Sequence, residues 1–127
     1  MVIVFIIGVL LAVVLPRLAF SRARATHTSC VSNVRILGTA LQTYANDNDG
    51  RYPPTLGTLL DGSPPVLKAL PVCPSDESSY ETLYEVDNST GHYTVACNGI
   101  HYRQVDGGQQ GYPQFYSSGR LDPTGNP

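Results

Sequence analysis

The sequence predicts an α+β fold. A long N-terminal α-helix, apolar in its first third and amphipathic in the remainder, packs on a small antiparallel β-sheet, and an irregular C-terminal tail follows. Residues 1–15 are all apolar or glycine, apolar residues then recur at helical spacing over 30–45, and two later segments alternate between apolar and polar side chains. At 127 residues the chain is long enough for one domain.

Residues 1–16 make up the apolar half of the predicted helix. A bilayer core about 30 Å thick needs about 20 helical residues, so we expect a membrane-spanning helix whose first turns lie upstream of Met1. A secretory signal peptide is the competing interpretation, because Ala23-Arg24-Ala25 has the form of a cleavage site. It is disfavoured because no Lys or Arg precedes the apolar run and the helical pattern continues through that site.

Residues 17–50 make up the amphipathic half of the helix. Its first basic residues, Arg17, Arg22 and Arg24, are expected to contact anionic lipid headgroups or a neighbouring subunit. Further along, one face is apolar, which predicts packing on a domain. Turn-forming residues accumulate over 46–50, so we expect the helix to end there. The residues of the apolar face are Cys30, Val31, Val34, Leu37, Gly38, Leu41, Tyr44 and Ala45.

Beyond the helix, residues 51–80 are predicted to form a connecting loop region and residues 81–108 a small antiparallel sheet. The first two strands are predicted at 82–86 and 92–97, where apolar residues occupy every second position. A third strand is expected over 100–105. The sheet would then bury one face against the helix.

The turn and the tail complete the predicted architecture. The sequence Asp-Asn-Ser-Thr-Gly between the first two strands predicts a turn, and its Asn88 begins an Asn-Ser-Thr motif, which makes it a candidate glycosylation site. Residues 109–127 are rich in Gly and Pro and show no periodicity, so we expect an irregular tail. Three aromatic residues suggest that the tail docks on its own sheet or on a neighbour: Tyr112, Phe115 and Tyr116.

Composition and motif content argue against several functions. Charged residues are 14% of the chain and the net charge is −2, so bulk charge predicts no nucleic-acid site. The three histidines, His27, His92 and His101, are far apart in sequence and accompany no nucleophile motif, so we expect no enzymatic activity and no cofactor.

The sequence MVIVFIIGVLLAVVLPRLAFSRARA, followed by SCVSNVRILGTALQTYANDNDGRYPPTLGTLL, resembles the N-terminal half of type IV pilins and of the major pseudopilins of type II secretion systems. In such proteins a prepilin peptidase removes a basic leader, and the apolar half-helix first anchors the subunit in the cytoplasmic membrane. Assembly machinery then packs copies of the subunit into a helical filament. The resemblance implies a structural subunit located in that membrane before assembly and in an extracellular or periplasmic filament afterwards.

The resemblance also implies roles within residues 1–16. Pilins begin with a methylated Phe and a nearby Glu, which would lie upstream of Met1. The segment between the matching Gly8 and Pro16 can lose helical structure on assembly, and a proline inside a helix costs about 3 kcal/mol, so we expect a helix break at these two residues and part of 9–15 to be non-helical in the filament. The residues expected in the filament core are Val2, Ile3, Phe5, Ile6, Val9, Leu10, Val13 and Val14.

The cysteines receive separate predictions. The sequences LPVCPS and YTVACNGIH resemble the disulfide-bonded sheet and tail of many pseudopilin-like proteins, which implies a disulfide between Cys73 and Cys97. The alternative is a metal site, although the paired close spacings of zinc sites are missing; its ligands would be Cys73, His92, Cys97 and His101. Cys30 lies on the apolar helix face and is expected to be a buried thiol rather than an intermolecular bridge.

Two alternative functions are also compatible with these sequence features. The chain could be a short pseudopilus subunit of a type II secretion system, or a monomeric membrane-anchored binding module that stays monodisperse in mild detergent. Sequence does not choose among adhesion, motility, DNA uptake and protein secretion as the task of a filament.

Overall fold

The computed structural model describes the backbone of residues 2–104 and 107–125, and their side chains except those of 14–20, 23, 102 and 104. One long helix is followed by a four-stranded antiparallel sheet in the order β1-β2-β3-β4. The helix α1 covers Val2–Asp47, and the strands are β1 Tyr84–Asp87, β2 His92–Ala96, β3 Gln114–Tyr116 and β4 Leu121–Asp122. Short 3-10 helices cover Leu56–Leu60, Tyr80–Leu83 and Ile100–Gln104.

The side chains of α1 divide it into two stretches with different surroundings. The first described stretch, 12 residues over 2–13, is exposed throughout, whereas 24 residues over 24–47 carry the side chains that pack on the sheet. The predicted fold class is therefore wrong in having one long helix packed on the sheet. Packing requires a partner surface, and the described residues offer one only to the second stretch. The buried residues of that stretch are Cys30, Val34, Leu37, Gly38, Ala40, Leu41 and Ala45.

The end of α1 agrees with the sequence prediction. The helix ends at Asp47, and the Gly50 amide then donates to the Ala45 carbonyl at 2.8 Å. Asp49 and Gly50 have φ of 56° and 79°, which is the left-handed region that ends helices. The run of Asn, Asp and Gly over 46–50 suits this conformation because these residues tolerate it best.

The predicted irregular tail is also wrong, because it supplies half of the sheet. β3 and β4 both lie within 109–127, and β3 pairs with β2 through Val95 opposite Phe115. The third strand predicted over 100–105 is replaced by the 3-10 helix Ile100–Gln104; Val105 lies outside the described residues. This turn buries His101 fully while Ile100 stays 51% exposed.

A close approach between α1 and β3 fixes the packing of the helix on the sheet. A Cβ atom added at Gly38 would collide with the Phe115 ring, and Phe115 is only 7% exposed. The Tyr93 hydroxyl donates to the Gly38 carbonyl at 3.1 Å. The expectation that the tail aromatics dock is confirmed for Phe115, which packs in the protein's own core.

The expectation of a transmembrane helix needs correction. Within the described part of the chain, every helix is too short or too polar to cross a bilayer. The predicted location in the cytoplasmic membrane before assembly, and the sequence of locations built on it, therefore lose their support.

Candidate functional site

Four side chains from distant parts of the sequence converge in the core, and we call them the Cys–His cluster. Its ligand-type atoms, three Sγ and one imidazole nitrogen, all lie within 4.8 Å of one another. The Sγ of Cys30 lies 3.2 Å from that of Cys73 and 3.5 Å from that of Cys97. The members are Cys30, Cys73, Cys97 and His101, all buried.

Different elements position the four members. Cys30 comes from the buried face of α1, and Cys73 from the loop that precedes the sheet. Cys97 directly follows β2, and the 3-10 helix that begins at Ile100 turns His101 back toward it. The His101 Nδ1 thereby lies 3.6 Å from the Cys30 Sγ and 3.7 Å from the Cys73 Sγ.

A glycine makes the convergence sterically feasible. A Cβ atom added at Gly99 would collide with the Cys73 Sγ, would lie 2.6 Å from the Ser75 Oγ and would lie 2.9 Å from the His101 Nδ1. Real Cβ atoms do not approach heavy atoms this closely. The backbone at Gly99 therefore approaches the cluster at a distance that only glycine permits.

The thiols of the cluster polarise one another. The hydrogen bond with Cys30 is the main cause that lowers the pKa of Cys97 to about 6, and the Gly99 amide lowers it further. The same Cys30–Cys97 bond, with burial second, raises the pKa of Cys30 far above the ordinary range. Burial, with His27 as the next contributor, lowers the pKa of His101, which favours the neutral imidazole. Three cysteine sulfurs beside a neutral imidazole are a set of sulfur and nitrogen electron donors.

The structure brings together some of the residues singled out from the sequence. Cys73, Cys97 and His101 meet as the metal alternative requires, but His92 lies exposed at the start of β2 and is not part of the cluster. All three cysteines are free thiols in the structure, so the disulfide between Cys73 and Cys97 stays a prediction. Cys30 is buried as expected, yet it lies against both other cysteines.

Sequence reasoning missed Cys30 as a cluster member and Gly99 as its neighbour. One local signal was present, since Cys97 and His101 are separated by three residues, a spacing that suits two ligands of one ion. The pairing of Cys30 with Cys73 spans 43 residues of sequence and depends on how α1 packs on the loop before the sheet. No local pattern carries that information.

The second candidate site is the exposed apolar segment, residues 2–13 of α1. The exposed fraction of its large apolar side chains ranges from 51% to 73%. It includes the predicted filament-core residues Val2, Ile3, Phe5, Ile6, Val9, Leu10 and Val13. The side chains of Val14 and Pro16 are not among those that the structure describes.

The two other residues singled out from the sequence have defined environments. Gly8 lies within α1, and a Cβ atom added there would meet nothing within 4 Å. Asn88 is exposed in the turn, but its Oδ1 accepts from the Tyr52 amide at 2.8 Å and its Nδ2 donates to the Tyr52 carbonyl at 3.0 Å. The nitrogen that a glycan would modify is thus already engaged in fixing the turn to the loop after α1.

Comparison with known proteins adds no relative. No protein-family model, no curated protein and no solved structure matches the chain. The resemblance of residues 1–60 to pilins and pseudopilins accordingly stays a hypothesis.

Proposed function

We propose that this chain is a structural subunit that polymerises into a pilus-like filament through burial of the exposed apolar segment. The observation that supports the proposal is a run of 12 helical residues, 2–13, that are exposed on every side and uniformly apolar or glycine. A helix that is apolar on all sides is normally buried on all sides. Stable exposure of such a surface is unfavourable in water, at roughly 25 cal/mol per Å².

The distribution of the apolar residues favours several copies as the occupant. Twelve residues make more than three helical turns, at 3.6 residues each, so apolar side chains point in every direction around the axis. One partner groove would cover only one side. Surrounding helices would cover all sides, and the same segment of other copies supplies helices of matching length and character.

The packed half of the molecule suits such an assembly. Beyond residue 24, α1 packs on the sheet, so each copy would contribute a projecting helix and a folded outer part. Residues 2–29 precede Cys30, which is the first buried residue among the described side chains of α1, and they extend about 40 Å at 1.5 Å per residue. The resemblance of the first 60 residues to pilins supports the same arrangement.

Sedimentation and electron microscopy of the purified full chain test the proposal. The unmodified chain is expected to sediment as filaments, and Leu10→Glu is expected to abolish them because it places a charge on the surface to be buried. Leu60→Glu is the matched control, since Leu60 is an exposed leucine in the folded half at 39%. A monodisperse unmodified chain, or filaments of Leu10→Glu equal to those of the control, would contradict the proposal.

A further inference from the structure

We propose that Cys30, Cys73, Cys97 and His101 bind one zinc ion, which ties α1 to the sheet. The proposal begins with the number and type of the converging atoms. Three sulfurs and one imidazole nitrogen form a complete Cys₃His set, which is one of the ligand sets of structural zinc sites. All four residues are buried, and a structural zinc site is closed to solvent in the same way.

Three of the six distances within the cluster are those of ligands around a common centre, and the other pairs lie within 4.8 Å. A zinc ion with Zn–S of about 2.3 Å and Zn–N of about 2.0–2.1 Å in a tetrahedron separates its ligand atoms by roughly 3.5–3.8 Å. The two Nδ1–Sγ distances are 3.6 and 3.7 Å, and the Cys30–Cys97 distance is 3.5 Å. The Cys30–Cys73 distance of 3.2 Å is shorter, and a small outward rotation of one thiol would bring it into range.

A disulfide explains the cluster less well. It joins two sulfurs at about 2.05 Å and would leave the third thiol and the imidazole against it without a role. Here Cys30 lies against both other cysteines, so the contacts single out no pair. One ion uses all four groups at once.

One outer contact matches the surroundings of metal-bound thiolates. The Ser75 Oγ lies 2.9 Å from the Cys73 Sγ. Such donors to the sulfur atoms hold the ligands in position and offset their negative charge. A Cβ atom at Gly99 would collide with the Cys73 Sγ, so the close backbone approach also belongs to the cluster.

The charge balance follows from the ligand set. Zinc displaces the three thiol protons, which pass to water, and the neutral imidazole binds through Nδ1. The bound site then carries a net charge of −1. Three thiolates with one imidazole favour zinc over Mg²⁺ or Ca²⁺, which prefer oxygen ligands.

Zinc alone is the probe for the test. The full chain, reduced and freed of metal, is expected to bind one zinc ion, measured by elemental analysis after gel filtration and by competition with a chromogenic chelator. With Co²⁺ in place of zinc it should show the visible absorption of tetrahedral thiolate coordination. His101→Ala should lose the ion, and His101→Cys should retain it because a fourth thiolate replaces the imidazole.

His92→Ala is the matched control, since His92 is an exposed histidine outside the cluster and its loss should leave zinc binding unchanged. Ser75→Ala should weaken zinc binding by about 10–100-fold through the lost contact to Cys73. Circular dichroism of each variant separates loss of the ligand from loss of the fold.

Three results would overturn the zinc assignment: a folded, reduced chain that binds no zinc, zinc that is lost with His92→Ala but not with His101→Ala, or iron in place of zinc in the chain as isolated. Peptide mapping without reduction that shows a disulfide within the cluster of the isolated protein would also overturn it. The same measurements on Leu10→Glu keep the outcome independent of filament assembly.

Discussion

At the scale of single residues, two glycines decide which surfaces can meet. Because Gly38 has no Cβ atom, the Phe115 ring can pack against α1. Because Gly99 has none either, its own backbone can lie next to the Cys73 Sγ. Neither has a positive φ between +20° and +160°, so space rather than backbone conformation is the reason for glycine at both positions. A Cβ atom added at Gly8, in contrast, would meet no atom within 4 Å.

Gly38→Ala is therefore expected to destabilise the fold by about 1–3 kcal/mol, the usual cost of overpacking a core. Urea denaturation of the reduced chain measures it. Gly8→Ala, in the same helix, is the control and should leave the unfolding midpoint unchanged or raise it, since alanine favours helix by up to about 1 kcal/mol. If Phe115→Leu, which leaves more room, does not reduce the cost of Gly38→Ala, the collision is not its cause.

Individual site residues were predictable only in part. The sequence placed Cys30 on the buried helix face and named Cys73, Cys97 and His101 as alternative ligands, and the structure buries all four. It did not place Cys30 beside Cys73, because that contact depends on the crossing of α1 over the loop before the sheet. The metal alternative also includes His92, but strand alternation turns this side chain outward.

At the scale of elements, the turn between β1 and β2 is organised by one carboxylate. The Asp87 carboxylate accepts from the Ser89 amide at 2.9 Å, from the Ser89 hydroxyl at 2.5 Å and from the Thr90 hydroxyl at 2.8 Å. These hydrogen bonds, led by that of Ser89, lower the pKa of Asp87 from 3.8 to about 2. The turn thus holds the charged form of the side chain.

The sign of the pH dependence follows from that lowered pKa. The hydrogen bonds of Asp87 stabilise the turn above pH 3.8, and this contribution is lost as the pH falls through about 2. An NMR titration of the Asp87 carboxyl carbon should show a midpoint near 2, and Ser89→Ala should raise it toward 3.8. Ser118→Ala, an exposed serine in the turn after β3, should not change it. A midpoint unaffected by Ser89→Ala would refute this account.

Elements with a strong local pattern were predictable, and those that depend on a partner were not. The strands expected at 82–86 and 92–97 appear as β1 and β2, because alternating side chains fix which face is buried. β3 and β4 have three and two residues, too few for any periodicity. These strands form because β3 pairs with the edge of β2 and β4 pairs with β3. No local sequence pattern indicates that this edge is available.

At the scale of the whole molecule, the C-terminal segment closes the core rather than extending from it. β3 places Phe115 between the sheet and α1, and the Pro123 carbonyl accepts from the His27 imidazole at 2.9 Å. His27 in turn lies 5.3 Å from His101, ring to ring. The end of the chain thus connects to α1 next to the Cys–His cluster.

Phe115→Ala is expected to cost about 3–5 kcal/mol of unfolding free energy, the range for a buried phenylalanine. Phe5→Ala is the matched control, because Phe5 is 73% exposed, and surface substitutions usually stay within about 0.5 kcal/mol. Both are measured by urea denaturation in the Leu10→Glu background, so that assembly does not contribute. Equal effects of the two substitutions would show that the tail is not part of the core.

The position of Cys30 has a mechanical consequence. It is the first buried residue along the described part of α1, so it lies at the root of the projecting helix. A pull along residues 2–13 would reach the folded half at His27, which hydrogen-bonds the Pro123 carbonyl, and then at Cys30. Cys30 contacts the loop before the sheet through Cys73 and the end of β2 through Cys97. Tension on the helix would therefore be shared at once between these two separate parts of the chain, and α1 could separate from the sheet only after those contacts had broken.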